Sequence, residues 1–172
     1  MSSSRPFRSR RPLLIIALGL LTILIVIFLV AATILLLSPS NRIVTEDEFE
    51  GVIFSKSNAA DSMRYMLVNE RVEEAYWTPS KEQILDLELR LDSYVNEQLP
   101  TLSSRLNTYR RQYFGFVREG KQHIMAVGFC KPVSIDWRRE PVTLPESGGC
   151  YFEGQYDATN DEFLYLWEGV GR

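Results

Sequence analysis

Histidine and cysteine are nearly absent from this chain of 172 residues, which contains one histidine, His123, and two cysteines, Cys130 and Cys150. A structural zinc site needs four such ligands at close spacing, and the sequence contains no zinc-binding pattern. A catalytic triad needs a histidine beside a nucleophile, and no motif places a serine or a cysteine beside His123. We therefore predict no metal ligands, no cofactor and no catalytic residues.

Charge is missing from the 25 residues between Leu13 and Leu37. A helix of this length measures about 37 Å, enough to cross a hydrocarbon layer of about 30 Å, and it satisfies its own backbone hydrogen bonds. A buried core helix and a cleaved signal peptide are the alternatives, but core helices rarely lack a polar face and signal peptides have shorter apolar runs. The run predicts an uncleaved single-pass transmembrane helix over 13–37, with the lipid bilayer as its partner.

Positive and negative charges are separated along the chain. Residues 1–12 carry four arginines and no acid, whereas residues 38–172 carry 15 lysines and arginines against 22 acids, a net charge of −7. Because basic flanks remain on the cytoplasmic side, we expect residues 1–12 to form a cytoplasmic tail and the C-terminal domain to lie outside the cytoplasmic membrane, in the periplasm or the extracellular space. An acidic domain repels phosphate, so we expect no nucleic-acid partner.

Both cysteines lie in the domain that this topology places outside the membrane. Disulfides persist in oxidising compartments, and an even count of cysteines suits one bridge. The sequence predicts a Cys130–Cys150 disulfide, with two free, buried thiols as the alternative.

Residues 38–75 are predicted to be a juxtamembrane linker. Glu46, Asp47, Glu48 and Glu50 lie close together, which is typical of a solvated segment. A short strand over 52–54 and a short helix over 58–74 are the regular elements that we expect there.

Residues 76–172 are predicted to be an α+β domain. Thr78 and Pro79 suit the first turn of an amphipathic helix that Pro100 ends. Its apolar stripe consists of Ile84, Leu87, Leu91 and Tyr94 or Val95. Two hairpins follow, over 113–130 and 150–168. The first turns at Glu119-Gly120, and a proline-rich excursion separates them. We expect the helix to pack on a four-stranded antiparallel sheet formed by these two hairpins.

Several short motifs are spread over residues 76–170. The motifs are Trp77-Thr78-Pro79, Arg111-Gln112-Tyr113-Phe114-Gly115, Phe129-Cys130, Gly148-Gly149-Cys150-Tyr151-Phe152, Tyr156-Asp157, Phe163 and Leu166. In this pattern residues 76–170 resemble uncharacterised bacterial exported proteins that are often lipoproteins or single-pass membrane proteins. That family has no assigned activity, so the resemblance implies export and no catalytic residue.

The aromatic residues of the last two strands are the candidate interface. Phe163, Tyr165 and Trp167 alternate along the final strand, which predicts that they share one face, and Tyr151 lies on the neighbouring strand. Aromatic residues in such a pattern form either a core face or, when exposed, a surface for a protein partner. The leading hypothesis is a membrane-anchored, non-catalytic domain that binds another membrane or extracytoplasmic protein, as an accessory subunit of a bacterial membrane complex.

Two other functions remain open. A small-ligand or inhibitor-like domain of cystatin type would need a concave pocket between helix and sheet. A hydrolase would need two facing carboxylates, and the candidates are Glu73, Glu74, Glu153, Asp161 and Glu162. Asp157, Asn160, Asp161 and Glu162 also offer oxygens to calcium, although a hairpin turn explains these residue types without an ion.

Overall fold

The computed structural model describes residues 20–21, 23–30, 40–46, 49–66, 75–143 and 148–169. The chain divides into two compact units, Met1–Ser38 and Pro39–Arg172. In the first unit the described residues are helical and exposed. Within the described part of the chain, no helix is long and apolar enough to span a membrane. The transmembrane helix predicted over 13–37 is therefore not found in the described residues, which include 20–21 and 23–30 of that stretch; its other residues lie outside them. The predicted tail, 1–12, lies outside the described residues.

The second unit is built on one mixed sheet of seven strands. The strands are β1 (Arg42–Glu46), β2 (Phe49–Ile53), β3 (Tyr76–Trp77), β4 (Arg110–Arg118), β5 (Lys121–Phe129), β6 (Tyr151–Asp157) and β7 (Glu162–Glu168). Their order is β1-β2-β4-β5-β6-β7, and β3 pairs with β4 beside the end of β2. All neighbours are antiparallel except β2 and β4, which run parallel.

The α+β class is right, but the prediction of four antiparallel strands is wrong. The strands β1 and β2 lie in the segment 38–75, which we expected to be a linker because its acidic residues are typical of a solvated segment. Glu46 and Glu50 nevertheless lie at positions where the strand meets solvent, while Val44, Val52 and Ile53 are buried. The parallel pairing of β2 with β4 joins residues about 60 positions apart, which no local pattern in the sequence reveals.

The helices are α1 (Lys56–Met66), α2 (Lys81–Gln98) and α3 (Pro100–Ser103), with a 3₁₀ turn at Leu106–Thr108. The amphipathic stripe of α2 is confirmed, because Ile84, Leu87, Leu91 and Val95 are buried. Its first residue differs from the prediction. Ser80 is the N-cap and exchanges hydrogen bonds with Gln83 in a capping box. The Oγ1 of Thr78 instead accepts a hydrogen bond of 2.8 Å from the backbone N–H of Lys56.

Both predicted hairpins are present. Glu119 and Gly120 form the first turn with positive φ, and Phe116 consequently lies opposite His123. The second hairpin joins β6 to β7 and contains a β-bulge between Gln155 and Tyr156. The Cys130–Cys150 disulfide is present, with a Cα–Cα distance of 5.1 Å, and it connects the end of β5 to the start of β6.

The sheet is covered on both faces. One face packs against α2, α3 and the 3₁₀ turn. The other packs against α1 and the excursion after β5, from which Trp137 and Val142 enter the core. The excursion is held by Gln112, whose amide donates to the Trp137 and Glu140 carbonyls and accepts from the Val142 N–H. In the described sheet the longest run of paired strands ends at β1 on one side and at β7 on the other, and an edge strand has backbone groups that a further strand can pair with.

Candidate functional site

The strand β7 does not place its three aromatic residues on one face. The bulge in β6–β7 pairs Tyr156 with Phe163 and Gln155 with Tyr165, so Leu164 is an extra residue that reverses the alternation. Phe163 therefore packs under α2, with its ring centroid 5.4 Å from that of Tyr94. The expectation of a shared face for Phe163, Tyr165 and Trp167 is wrong, because a bulge cannot be recognised from alternation alone.

Tyr165 and Trp167 lie on the opposite face, beside Tyr151. The Trp167 ring meets the Tyr151 ring edge-on at 6.1 Å between centroids. The Tyr165 hydroxyl lies 3.9 Å from the Met125 sulfur and 3.5 Å from Glu153. Tyr151 also donates to Glu153, at 3.1 Å. Burial, together with the charge of Glu153, raises the pKa of the Tyr151 hydroxyl, so this tyrosine remains neutral and acts as a donor.

The four candidate interface residues differ in exposure. Tyr151 is buried, and Phe163 and Tyr165 are half-buried. Trp167 is 42% exposed, and Leu164, which the sequence analysis did not select, is 48% exposed. The accessible apolar surface of β7 therefore consists of Leu164 and Trp167, with Tyr151 and Tyr165 beside Trp167 and Phe163 on the opposite face of the sheet.

A cleft on the other side of α2 is a second candidate site. It has a volume of about 630 Å³, within the usual range for ligand pockets. It is lined by Glu46, Phe49, Leu85, Glu88, Leu89, Asp92, Ser103, Ser104, Leu106, Asn107 and Arg111. One wall is apolar, and the charged residues are three acids and one arginine, so the cleft is acidic.

The floor of the cleft contains a buried cluster of Glu88, Arg111 and Tyr113. Arg111 Nε lies 2.8 Å from one Glu88 oxygen, and the Tyr113 hydroxyl donates to the other at 2.7 Å. The remaining Arg111 nitrogens donate to the carbonyls of Tyr109 and Leu106. Burial raises the pKa of the Glu88 carboxyl, and Arg111 and Tyr113 offset only part of this effect. Burial and the Glu88 charge likewise raise the pKa of Tyr113.

This cluster was not predicted from the sequence. A signal for it existed, because Tyr109, Arg111 and Tyr113 alternate with the buried residues Gln112 and Phe114 and so share one face of β4. An arginine between two inward-facing tyrosines needs a buried counter-charge. Glu88, directly after Leu87 on α2, is the acid that supplies it.

His123 lies on a core face. Its ring stacks on Phe116 at 5.4 Å between centroids, and it pairs across the sheet with Asp157 of β6. Burial lowers the pKa of His123, and the nearby charge of Asp157 partly opposes that effect. His123 is thus a buried residue of the core, and its surroundings disfavour protonation of the ring.

Two of the carboxylates proposed for hydrolysis or calcium binding, Asp157 and Asp161, already accept hydrogen bonds within the domain. Asp157 accepts hydrogen bonds from the backbone N–H groups of Thr159 and Asn160, which hold its pKa low although burial alone would raise it. Asp161 accepts from Arg90 and Tyr156. Within the described ranges, no three acidic, histidine or cysteine side chains are grouped as metal ligands. Glu73 and Glu74 lie outside the described residues.

The chain matches no protein-family model, no curated protein and no solved structure.

Proposed function

We propose that residues 39–172 form a non-catalytic protein-binding domain, an accessory subunit that binds an extended segment of another extracytoplasmic protein along β7. The observation that carries this proposal is the exposure of Leu164 and Trp167 on a strand at the edge of the sheet. An edge strand presents N–H and C=O groups that a partner strand can pair with. Tryptophan is among the residue types that contribute most to binding when a partner buries them.

The composition of β7 supports the same function. Edge strands that must avoid pairing usually carry lysine or proline, and Glu162–Glu168 contains neither. Its two glutamates stand at the ends, and Glu168 is already paired with Arg105 at 2.9 Å. The regular part of the strand, after the bulge, is therefore open to a partner of low charge.

The disulfide supports the location. A bridge between Cys130 and Cys150 persists only where the environment is oxidising. The partner is therefore another protein of the periplasm or the extracellular space.

Photo-crosslinking followed by titration tests the proposal. A photoreactive residue at position 164 in the full chain would identify the contacting protein, which is then purified and titrated against the wild type and Trp167→Ala. We expect Trp167→Ala to weaken binding at least about tenfold. Leu89→Ala is the matched control, since Leu89 is 71% exposed but lies on α2, and its affinity should equal that of the wild type. Equal affinities for Trp167→Ala and the wild type would overturn the proposal.

The cleft favours a second candidate function, the binding of a small cationic ligand with an apolar portion. Asp92 supplies a carboxylate at the rim and Phe49 and Leu89 supply the wall. Thermal-shift titration of the full chain with n-hexylammonium chloride tests this function. Asp92→Asn should reduce the shift, whereas Glu97→Gln, an exposed acid of the same helix outside the cleft, should leave it unchanged. The same shift in both variants would exclude this site.

A further inference from the structure

The strand β1 forms the opposite edge of the sheet from β7. Its five residues are Arg42, Ile43, Val44, Thr45 and Glu46. Val44 is buried under α2, whereas Arg42, Ile43 and Thr45 are exposed, and Ile43 is 56% exposed. An isoleucine at an accessible strand edge is an apolar group that a second strand would bury.

Hydrogen bonding fixes the direction of the backbone groups of β1. The N–H of Phe54, directly after β2, donates to the Tyr113 carbonyl of β4 at 2.9 Å. Backbone N–H and C=O groups point to alternate sides along a strand, so those of Ile53 and Gly51 point toward β1. These residues pair with Arg42 and Val44, whose groups therefore point inward. Ile43 and Thr45 consequently direct their N–H and C=O groups away from β2, toward the edge.

We propose that two copies of this chain associate by antiparallel pairing of their β1 strands, with Val44 on the two-fold axis. Ile43 of each copy then lies opposite Thr45 of the other, so that the four outward N–H and C=O groups of each strand pair with those of its partner. Arg42 of each copy lies opposite Glu46 of the other, on the face that Val44 occupies. The interface is isologous, as a two-fold dimer requires.

Charge selects this register. A shift of two residues in either direction preserves the hydrogen-bonding alternation, but it removes both Arg42–Glu46 pairs and with them the complementarity. Glu46 already contacts Lys81 of its own chain at 2.6 Å, so Arg42 of the second copy would add a second cation to the same carboxylate. The edge β7 lacks this property, because two β7 strands paired in full register place Glu162 opposite Glu168. Self-association is therefore assigned to β1, and it is independent of the β7 partner.

Cysteine cross-linking between two single variants tests the register. In the proposed dimer the Cα atoms of positions 43 and 45 are about 5.5 Å apart across the two-fold axis, which suits a disulfide. We expect a mixture of full-length Ile43→Cys and Thr45→Cys proteins to form a covalent dimer under mild oxidation. A mixture of Ser93→Cys and Glu97→Cys, both exposed on α2, is the collision control. Yields no higher than this control would overturn the proposal, even if the chain dimerises through another surface.

A charge swap between the two copies gives a second measurement. Arg42→Glu and Glu46→Arg each place like charges opposite one another twice, so we expect each variant alone to dimerise about tenfold more weakly in sedimentation equilibrium. Mixing the two variants restores both opposite-charge pairs, and the mixture should dimerise as strongly as the wild type. Arg42 is exposed and its substitution leaves the core intact. Equal dimerisation of all four samples would show that β1 is not the contact.

Discussion

His123 shows how a single residue can be structural and still control a property of the protein. Its ring lies between strands on the core face, stacked on Phe116 and opposite Asp157. Burial lowers its pKa, the charges of Arg118 and Lys121 act in the same direction, and Asp157 opposes them. A histidine whose folded pKa is below its unfolded value binds its proton more readily in the unfolded chain.

The free energy of unfolding should therefore fall as the pH drops below about 6.5, the ordinary pKa of histidine. His123→Gln removes this pH-dependent loss. As the pH is lowered from 8 to 5, the free energy of unfolding of the variant should therefore rise relative to that of the wild type. Urea unfolding across that range measures the difference. Gln122→Ala, at the exposed neighbouring position, serves as control because its difference from the wild type should not vary with pH. A pH-independent difference for His123→Gln would contradict the assignment.

The contacts of single residues could be predicted from the sequence only in part, and His123 is an example. The pairing of His123 with Phe116 could be predicted, since a two-residue turn at Glu119-Gly120 determines the register of β4 and β5. The face of Phe163 could not be predicted, since alternation along β7 does not reveal the bulge at Leu164. The alternation of β4 indicates that Arg111 is buried, but its pairing with Glu88 could not be predicted, because an ion pair between a helix and a strand depends on their tertiary approach.

At the scale of the element, the start of α2 depends on a capping box. The Ser80 hydroxyl accepts from the Gln83 N–H at 3.2 Å, and the Gln83 side chain accepts from the Ser80 N–H at 2.9 Å. Together these bonds satisfy donors that a helix end otherwise leaves without partners. Thr78 and Pro79, directly before this motif, were predicted to begin the helix. The Thr78 side chain instead accepts a hydrogen bond from the Lys56 N–H at the start of α1.

Ser80→Ala should reduce the free energy of unfolding by about 1 kcal/mol, the usual effect of removing an N-cap. Ser93→Ala is the matched control, since Ser93 lies inside α2 and its hydroxyl donates only to the Leu89 carbonyl. That substitution should change stability by no more than about 0.5 kcal/mol, because alanine has a higher helix propensity than serine. Denaturant unfolding measures both values. Equal losses would show that the capping box does not stabilise the helix.

Some helices and strands are determined by neighbouring residues in the sequence, and others by contacts with distant residues. The helix α2 and the hairpin β4–β5 could be predicted, since a stripe of buried positions and a two-residue turn lie within short stretches of sequence. The strands β1 and β3 could not, and of β2 only a short strand over 52–54 was predicted, because these strands are short and their partners are distant. The strand β2 pairs with residues of β4, and the Trp77 side chain donates to the Phe116 carbonyl. Their stability comes from the finished sheet rather than from their own propensity.

For the whole molecule, the disulfide joins the two parts of the fold that the sequence did reveal. The bridge spans 20 positions and closes the irregular excursion between β5 and β6. Around it, the Cys130 N–H donates to the Cys150 carbonyl at 3.2 Å, and the Tyr109 hydroxyl donates to the Gly149 carbonyl. The excursion is otherwise held mainly by the buried side chains of Gln112, Trp137 and Val142. Cross-linking a loop of this length restricts the unfolded chain more than the folded one.

Replacing both cysteines, Cys130→Ala with Cys150→Ala, should therefore lower the free energy of unfolding by about 3 kcal/mol. For a domain of this size, that loss corresponds to a decrease of about 10 °C in Tm, which calorimetry of the full chain would measure. Reductant should lower the Tm of the wild type toward the same value and leave the double variant unchanged, which separates loss of the bridge from loss of side-chain packing. If instead the wild type and the double variant unfold at one temperature, the bridge contributes no stability.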